Sequence, residues 1–207
     1  TITYTYGADG TKLRTVHKIG STTTTTDYCG NVIYENGTQK LLLTEEGYIN
    51  LAGTQQYHYY LKDHQGNNRV VINRSGTMEE TNHYYPFGGV FATAGNTQPY
   101  KYNGKEFDTK KGLNWYDYGA RHYDTALGRF MTNDRFAEKY YSMSPYQYGA
   151  NSPVVNIDVN GDSIRICTET QSFGHTWISV GEGSNMTVYS YGRYNGTNKG
   201  QIEALIL

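Results

Sequence analysis

The strongest constraint on this chain is the regular return of a glycine- or asparagine-bearing turn through its first 85 residues. Asp9-Gly10, Cys29-Gly30-Asn31, Asn36-Gly37, Glu46-Gly47, Gln65-Gly66-Asn67 and Ser75-Gly76 each supply a residue that tolerates positive φ, as tight hairpin turns require. Between them lie short β-prone runs at 2–6, 12–19, 32–34, 40–43, 57–61, 69–73 and 78–85. The spacing predicts a long antiparallel meander. Composition agrees: 24 Gly accompany 22 Tyr, against 6 Phe and 2 Trp. Gly costs roughly 1 kcal/mol in a helix interior, and Tyr and Thr favour pleated surfaces, so a helical bundle is excluded. The aromatic content also argues against simple disorder. The threonine run at 22–26 reads as an ordinary exposed strand, since no Pro or Ser richness surrounds it.

Several functional classes fall on charge and spacing. The net charge is −1, from 18 Lys+Arg and 19 Asp+Glu, which gives no basic footprint for nucleic acid. The longest apolar runs, such as 41–43, are far below the ~20 residues of a membrane-spanning helix. Cys29 and Cys167 lie far apart without C-x-x-C or Cys/His metal spacing. They read as two unpaired thiols packed as small apolar groups, with a single disulfide as the alternative. No metal or cofactor is assigned. The opening ITYTYG carries neither an initiator Met nor a signal pattern, and reads as the interior of a longer chain.

Internal similarity organises the first part. The segments YTYGADGTKLRTV (4–16) and YHYYLKDHQGNNRVV (57–71) share paired Tyr, an acidic residue before a turn Gly, and then a basic, β-branched strand. Each such unit is one hairpin, and because an isolated hairpin is marginal, the units must stack, Tyr ring on Tyr ring, with the phenol hydroxyls seeking partners in a polar interior. From Pro86 the character changes. A Gly-rich link leads into YKYNGKEFD (100–108) and GLNWYDYGARHYDTALGRF (112–130), and the stretch 135–148 offers short helical turns broken by Pro145. After Gly161, three apolar-alternating runs suggest strands of another unit.

These residues resemble the Rhs family of tyrosine/aspartate-repeat proteins and its repeat-associated core domain. The resemblance rests on Gly112, Leu113, Tyr116, Tyr118, Arg121, Tyr123, Asp124, Gly128, Arg129, Phe130 and Asp134, then Asn151, Pro153, Asp158 and Gly161. It covers roughly residues 1–162. It implies a mainly β fold: antiparallel hairpin repeats forming part of a curved β-sheet shell, short helical turns in a core plug, and a partial β-rich C-terminal unit. The expected organisation is 1–85 hairpin repeats, 86–162 core domain and 163–207 the start of a variable domain, commonly a toxin. The resemblance further implies a bacterial, secreted or cell-surface protein of intercellular competition. Its expected partners are its own C-terminal effector as cargo, a secretion apparatus and an immunity protein.

In related members the core is a self-cleaving aspartyl protease, and the matching residues are Asp134 and Asp158, with Arg121 as a supporting arginine. Two carboxylates that share a proton divide the work of acid and base. The expected cut lies between Asp162 and Ser163. This chain departs from the family pattern at three places: Arg135 and Val159 stand where Pro follows each aspartate, and Asp162 stands where the scissile Leu does. Judged on residue type alone, both aspartates are turn carboxylates. In 173–192, His175 opens an apolar strand and is similar to the histidine strand of circularly permuted papain-like amidases, which makes it a candidate catalytic residue of the C-terminal unit. The competing reading is a non-catalytic surface protein whose Tyr-rich sheet and Trp115 bind carbohydrate.

Overall fold

The computed structural model describes residues 1–139 and 141–162, together with the strand backbones at 165–169, 175–180, 187–191 and 203–206. The chain divides into two compact units, Thr1–Gly119 and Ala120–Leu207.

The first unit is built on a ten-stranded sheet in which every strand pairs antiparallel with its neighbours in chain order. Its strands are β1 (Ile2–Tyr6), β2 (Lys12–Ile19), β3 (Thr22–Cys29), β4 (Val32–Glu35) and β5 (Thr38–Leu43). They continue as β6 (Gly47–Asn50), β7 (Gln56–Lys62), β8 (Asn68–Asn73), β9 (Met78–Tyr84) and β10 (Val90–Ala94). This is the expected meander, and the threonine run is an ordinary strand, β3. Two strands escaped the sequence reading for physical reasons. Gly47 is the closing residue of the Thr44–Gly47 turn and the first of β6; a Cβ there would lie 2.0 Å from the His58 carbonyl oxygen, so the glycine marks a close backbone approach inside the sheet. The short run of β10 lies between Gly88-Gly89 and Gly95, in a stretch that reads as linker.

Turn chemistry sets the register. Asn36 and Gly37 both take positive φ, as a two-residue type I′ hairpin requires. A different turn recurs at Gly7–Thr11, 63–67, 73–77, 85–89 and 101–105. In each, the first residue's N–H donates to the carbonyl four residues on, while a glycine at the fourth position takes positive φ and donates back to the first residue. Asp9 and Asp63, the acidic residues of the two sequence repeats, accept backbone N–H bonds inside their turns, from Thr11 and from Gln65 and Asn67.

One face of the sheet is covered by the segment that follows it, which carries the hairpin of β11 (Glu106–Asp108) and β12 (Trp115–Asp117). The buried apolar cluster is small, Ile33, Leu41, Tyr48 and Val71, with Tyr28, Leu43, Tyr60 and Tyr100 against it. The rest of this interior is polar. Tyr28 donates to Glu106, Tyr60 to Gln98 and Tyr84 to the Asn68 carbonyl. At its centre lies Glu80, 1% exposed. Its two oxygens accept from Lys101 Nζ at 2.5 Å, Asn82 at 2.7 Å, Gln98 at 3.1 Å, and the Thr97 N–H at 2.7 Å. Burial pushes this carboxyl up, but Lys101 and the donors around it outweigh burial and hold it below the usual range.

The second unit begins with a hairpin of β13 (His122–Asp124) and β14 (Arg129–Phe130). Tyr123, Phe130 and Tyr148 form its aromatic core, with ring centroids 4.3–5.8 Å apart and none more than 1% exposed. Among the described residues of 135–148, the expected short helical turns reduce to one 3₁₀ turn, Ala137–Lys139. A tighter feature follows: Gly149, Ala150 and Asn151 take φ of 53°, 54° and 57°, a left-handed turn that returns the chain into β15 (Asn156–Asp158). β15 begins a five-stranded antiparallel meander with β16 (Arg165–Glu169), β17 (His175–Val180), β18 (Thr187–Tyr191) and β19 (Glu203–Ile206). Among the described residues, no helix is long and apolar enough to cross a membrane.

Two stability measurements follow. Glu80→Gln leaves Lys101 buried without its countercharge and should cost about 3–5 kcal/mol in urea unfolding; a loss within experimental error of zero would show that the pair does not organise this interior. Ala150→Gly removes a left-handed alanine and should stabilise the protein by about 1 kcal/mol, read as a raised unfolding midpoint.

Candidate functional site: an arginine-anchored aspartate pair

Arg121 immediately precedes β13 and is 5% exposed. Its guanidinium lies over the Phe130 ring at 3.8 Å from the centroid, so the flat cation is stacked on one side and hydrogen-bonded around its edge. Nε donates to the Gly161 carbonyl at 2.5 Å, Nη1 to the Pro145 carbonyl at 3.1 Å, and Nη2 to Asp134 Oδ2 at 2.9 Å. The same Nη2 lies 3.8 Å from Asp158 Oδ2. One buried cation therefore joins the bend after β14, the loop around Pro145, the end of β15 and the turn that follows it.

Local structure explains why each partner is in place. The Asp134 N–H donates to the Pro145 carbonyl at 2.9 Å, while Asp134 Oδ1 accepts from the Phe136 N–H at 2.8 Å. The aspartate thus caps the bend that ends in the 3₁₀ turn, and its other oxygen meets Arg121. Asp158 is the last residue of β15. Its Oδ1 accepts from the Gly161 N–H at 2.6 Å, closing a turn in which Gly161 takes φ of 80°. The Asp162 N–H donates to Asn160 Oδ1 at 3.1 Å, and Asp162 Oδ2 lies 2.6 Å from Arg135 Nη2. The residue-type reading of both aspartates as turn carboxylates is correct. It coexists with their convergence on Arg121.

The two carboxyls are not equivalent. Burial pushes the Asp158 carboxyl above the usual range, with the Asp134 charge adding to the rise and Gly161 and Arg121 opposing it. Asp134 holds the short charge-assisted bond to the arginine. Two carboxyls in different settings therefore share one guanidinium, Asp134 in direct hydrogen bond with it and Asp158 at 3.8 Å.

The three residues expected from the sequence, Arg121, Asp134 and Asp158, are thus together. His175 opens β17, where the backbone pairs it with Glu169, while Cys167 pairs with Trp177; the side chains of both lie outside the described residues. The Ser163 side of the expected cut also lies outside them. Cys29 is a free, exposed thiol. Among the described residues, no group of three or more His, Cys, Asp or Glu side chains could hold a metal ion. Sequence reasoning missed the Pro145 and Gly161 carbonyls, which carry no side-chain signal, and the Arg135–Asp162 pair. It also missed a separate cavity of about 260 Å³ in the first unit, where His17, 7% exposed at its side chain, bonds Asp108 at 2.7 Å.

No protein-family model matches the chain. Over 119 residues, 56% of its length, the chain is 37% identical to Salivary gland surface protein 1 of Aedes aegypti, of which it spans 3%. Over 110 residues it is 30% identical to the uncharacterized protein YibJ of Escherichia coli (strain K12), spanning 46% of that protein. The chain therefore spans less than half the length of the curated relatives it matches. Among solved structures, the crystal structure of TcdB2-TccC3-Cdc42 superposes on 77% of this chain with a TM-score of 0.64 and 22% identity, over 9% of its own length. A Photorhabdus luminescens Tc holotoxin pore carrying an aspartate-to-alanine mutation in TccC3 superposes on 76%, at 0.64 and 20% identity, over 8% of its length. The chain shares the Rhs-like, β-rich fold of these toxin components.

The raised Asp158 carboxyl fixes the sign of a pH effect. The folded state holds this proton more tightly than the unfolded chain, so its contribution is fully present below the ordinary aspartate pKa and is lost as pH rises through the elevated one. Asp158→Asn carries no such charge. Its melting temperature relative to the parent protein should rise as pH increases from the ordinary aspartate pKa through the elevated one; a difference that stays constant with pH would contradict the raised carboxyl.

Proposed function

We propose that this chain is the closing segment of an Rhs-type toxin shell that encloses and presents a C-terminal effector, and that its aspartate pair cuts the chain between Asp162 and Ser163. The observation that carries this reading is the single guanidinium that gathers Asp134, Asp158 and the Gly161 carbonyl. The fold shared with TcdB2-TccC3 supports the shell assignment. The effector as cargo, export from a bacterial cell, and an immunity protein follow as parts of the same proposal.

The chemistry is hydrolysis by one water. Asp134 takes a proton from the water, whose oxygen bonds to the Asp162 carbonyl carbon. Asp158, whose burial favours the protonated form, gives a proton to the Ser163 nitrogen as the carbon–nitrogen bond breaks. The products are a carboxyl group on Asp162 and an amine on Ser163, and the pair ends with its proton transferred from one aspartate to the other. Arg121 binds substrate and catalyst together: its bond to the Gly161 carbonyl and the Asp158–Gly161 turn hold the strand leading to the cut.

A second reading, a non-catalytic surface protein, is favoured by the 37% identity to a protein named for the salivary gland surface. Denaturing electrophoresis and N-terminal sequencing of the purified full-length protein separate the two. The expected result is a new chain beginning at Ser163, lost in Asp134→Asn and in Asp158→Asn while both variants still melt cooperatively. A parent protein that stays as one intact chain, or variants that are cut as well as the parent, would overturn the protease reading.

A further inference from the structure

Two of the three departures from the family pattern touch each other. Arg135 stands where a proline follows the first aspartate, and Asp162 stands where the scissile leucine does; their side chains form an ion pair, Nη2 to Oδ2, at 2.6 Å. The pair is asymmetric. Asp162 is 10% exposed at its side chain and Arg135 66%. A carboxylate buried to that degree needs a partner, and this one faces inward from a turn where Asp158 and Asp134 already lie on Arg121. Arg135, with its guanidinium also over the Phe136 ring at 4.8 Å, supplies that partner from the solvent side.

We propose that Arg135 is a positioning residue that holds the segment to be cut by gripping the Asp162 side chain, replacing an apolar anchor with an ionic one. The inference rests on the protease reading above and adds a specificity to it: the site accepts an acidic residue before the cut because Arg135 is present. The backbone supports the grip. Asp162 is tied through its N–H to Asn160, Gly161 through its carbonyl to Arg121 and through its N–H to Asp158, and the Arg135 contact fixes the one remaining handle, the side chain next to the reacting carbonyl. Arg135 follows Asp134 directly, so the same short bend carries the base and the grip. A shift of about 1 Å at a reacting centre can cost roughly a hundred-fold in rate, so a contact this near the bond acts on positioning out of proportion to its effect on stability.

Charge exchange in the full-length protein tests the proposal, with cleavage followed over time by intact-mass spectrometry. Arg135→Glu should slow the cut by roughly ten-fold or more while the melting transition stays within a few degrees. Arg135→Lys should retain most of the rate. The exchanged pair, Arg135→Glu with Asp162→Arg, should recover it, and so should the apolar pair, Arg135→Pro with Asp162→Leu. High salt should slow the parent protein and leave the apolar pair unaffected, because only the former depends on a partly exposed ion pair. If the parent protein is cut and Asp134→Asn is not, but Arg135→Glu is cut at the parent rate, the grip is refuted and the protease reading stands. If Arg135→Glu is slow and neither double variant recovers, the effect is not the ion pair and the proposal is equally refuted. A parent protein that is never cut refutes both.

Discussion

A buried charge must be met by opposite charge and hydrogen bonds on nearly every side, and each compact unit of this chain is arranged around one that is. In the first it is the Glu80 carboxylate, met by Lys101, Asn82, Gln98 and Thr97; in the second it is the Arg121 guanidinium, met by Asp134, Asp158 and two carbonyls. Tyrosine makes such interiors workable. Rings such as Tyr28, Tyr60 and Tyr84 fill volume and end in a hydroxyl that finds a partner, so a polar core can be packed without leucine-rich layers. The cost of an unpaired ion in low dielectric then does what hydrophobic patterning does in most sheets: it specifies which loop must sit on which strand.

The meander of the first unit was legible in the sequence because its turns announce themselves. Asn36-Gly37 can hardly be anything but a tight hairpin, and the five-residue turn repeats its glycine at the same place each time. The strands that were missed, β6 and β10, each adjoin a glycine that serves the sheet through close backbone contact. Gly47 approaches His58, and Gly95, just past β10, would put a Cβ 2.1 Å from the Glu79 carbonyl oxygen. Periodicity cannot distinguish a glycine needed for positive φ from one needed because another backbone passes within contact.

The site was legible only through resemblance. On residue type, Asp134 and Asp158 are turn carboxylates, and that is what their hydrogen bonds to Phe136 and Gly161 make them. Nothing in their local sequence reveals that the Oδ2 atoms of both face the same arginine, because convergence depends on how β13, the Pro145 loop and β15 come together. The carbonyls of Pro145 and Gly161 also hold Arg121, and any residue type could have supplied them.

Charge balance explains why Arg135 and Asp162 belong together. With an apolar residue at 162 and proline at 135, the site would hold one guanidinium and two aspartates, an imbalance that the raised Asp158 carboxyl relieves by favouring its protonated form. An aspartate at 162 alone would add a third negative charge beside Gly161 and compete for Arg121, which already feels Asp134, Asp158 and Asp162. Competition of that kind would weaken the hold of the arginine on Asp134. Arriving with Arg135, the third carboxylate is neutralised at 2.6 Å by a cation outside the buried cluster. Arg121 then keeps its two aspartates and the Gly161 carbonyl, and the difference in setting between Asp158 and Asp134 survives the exchange.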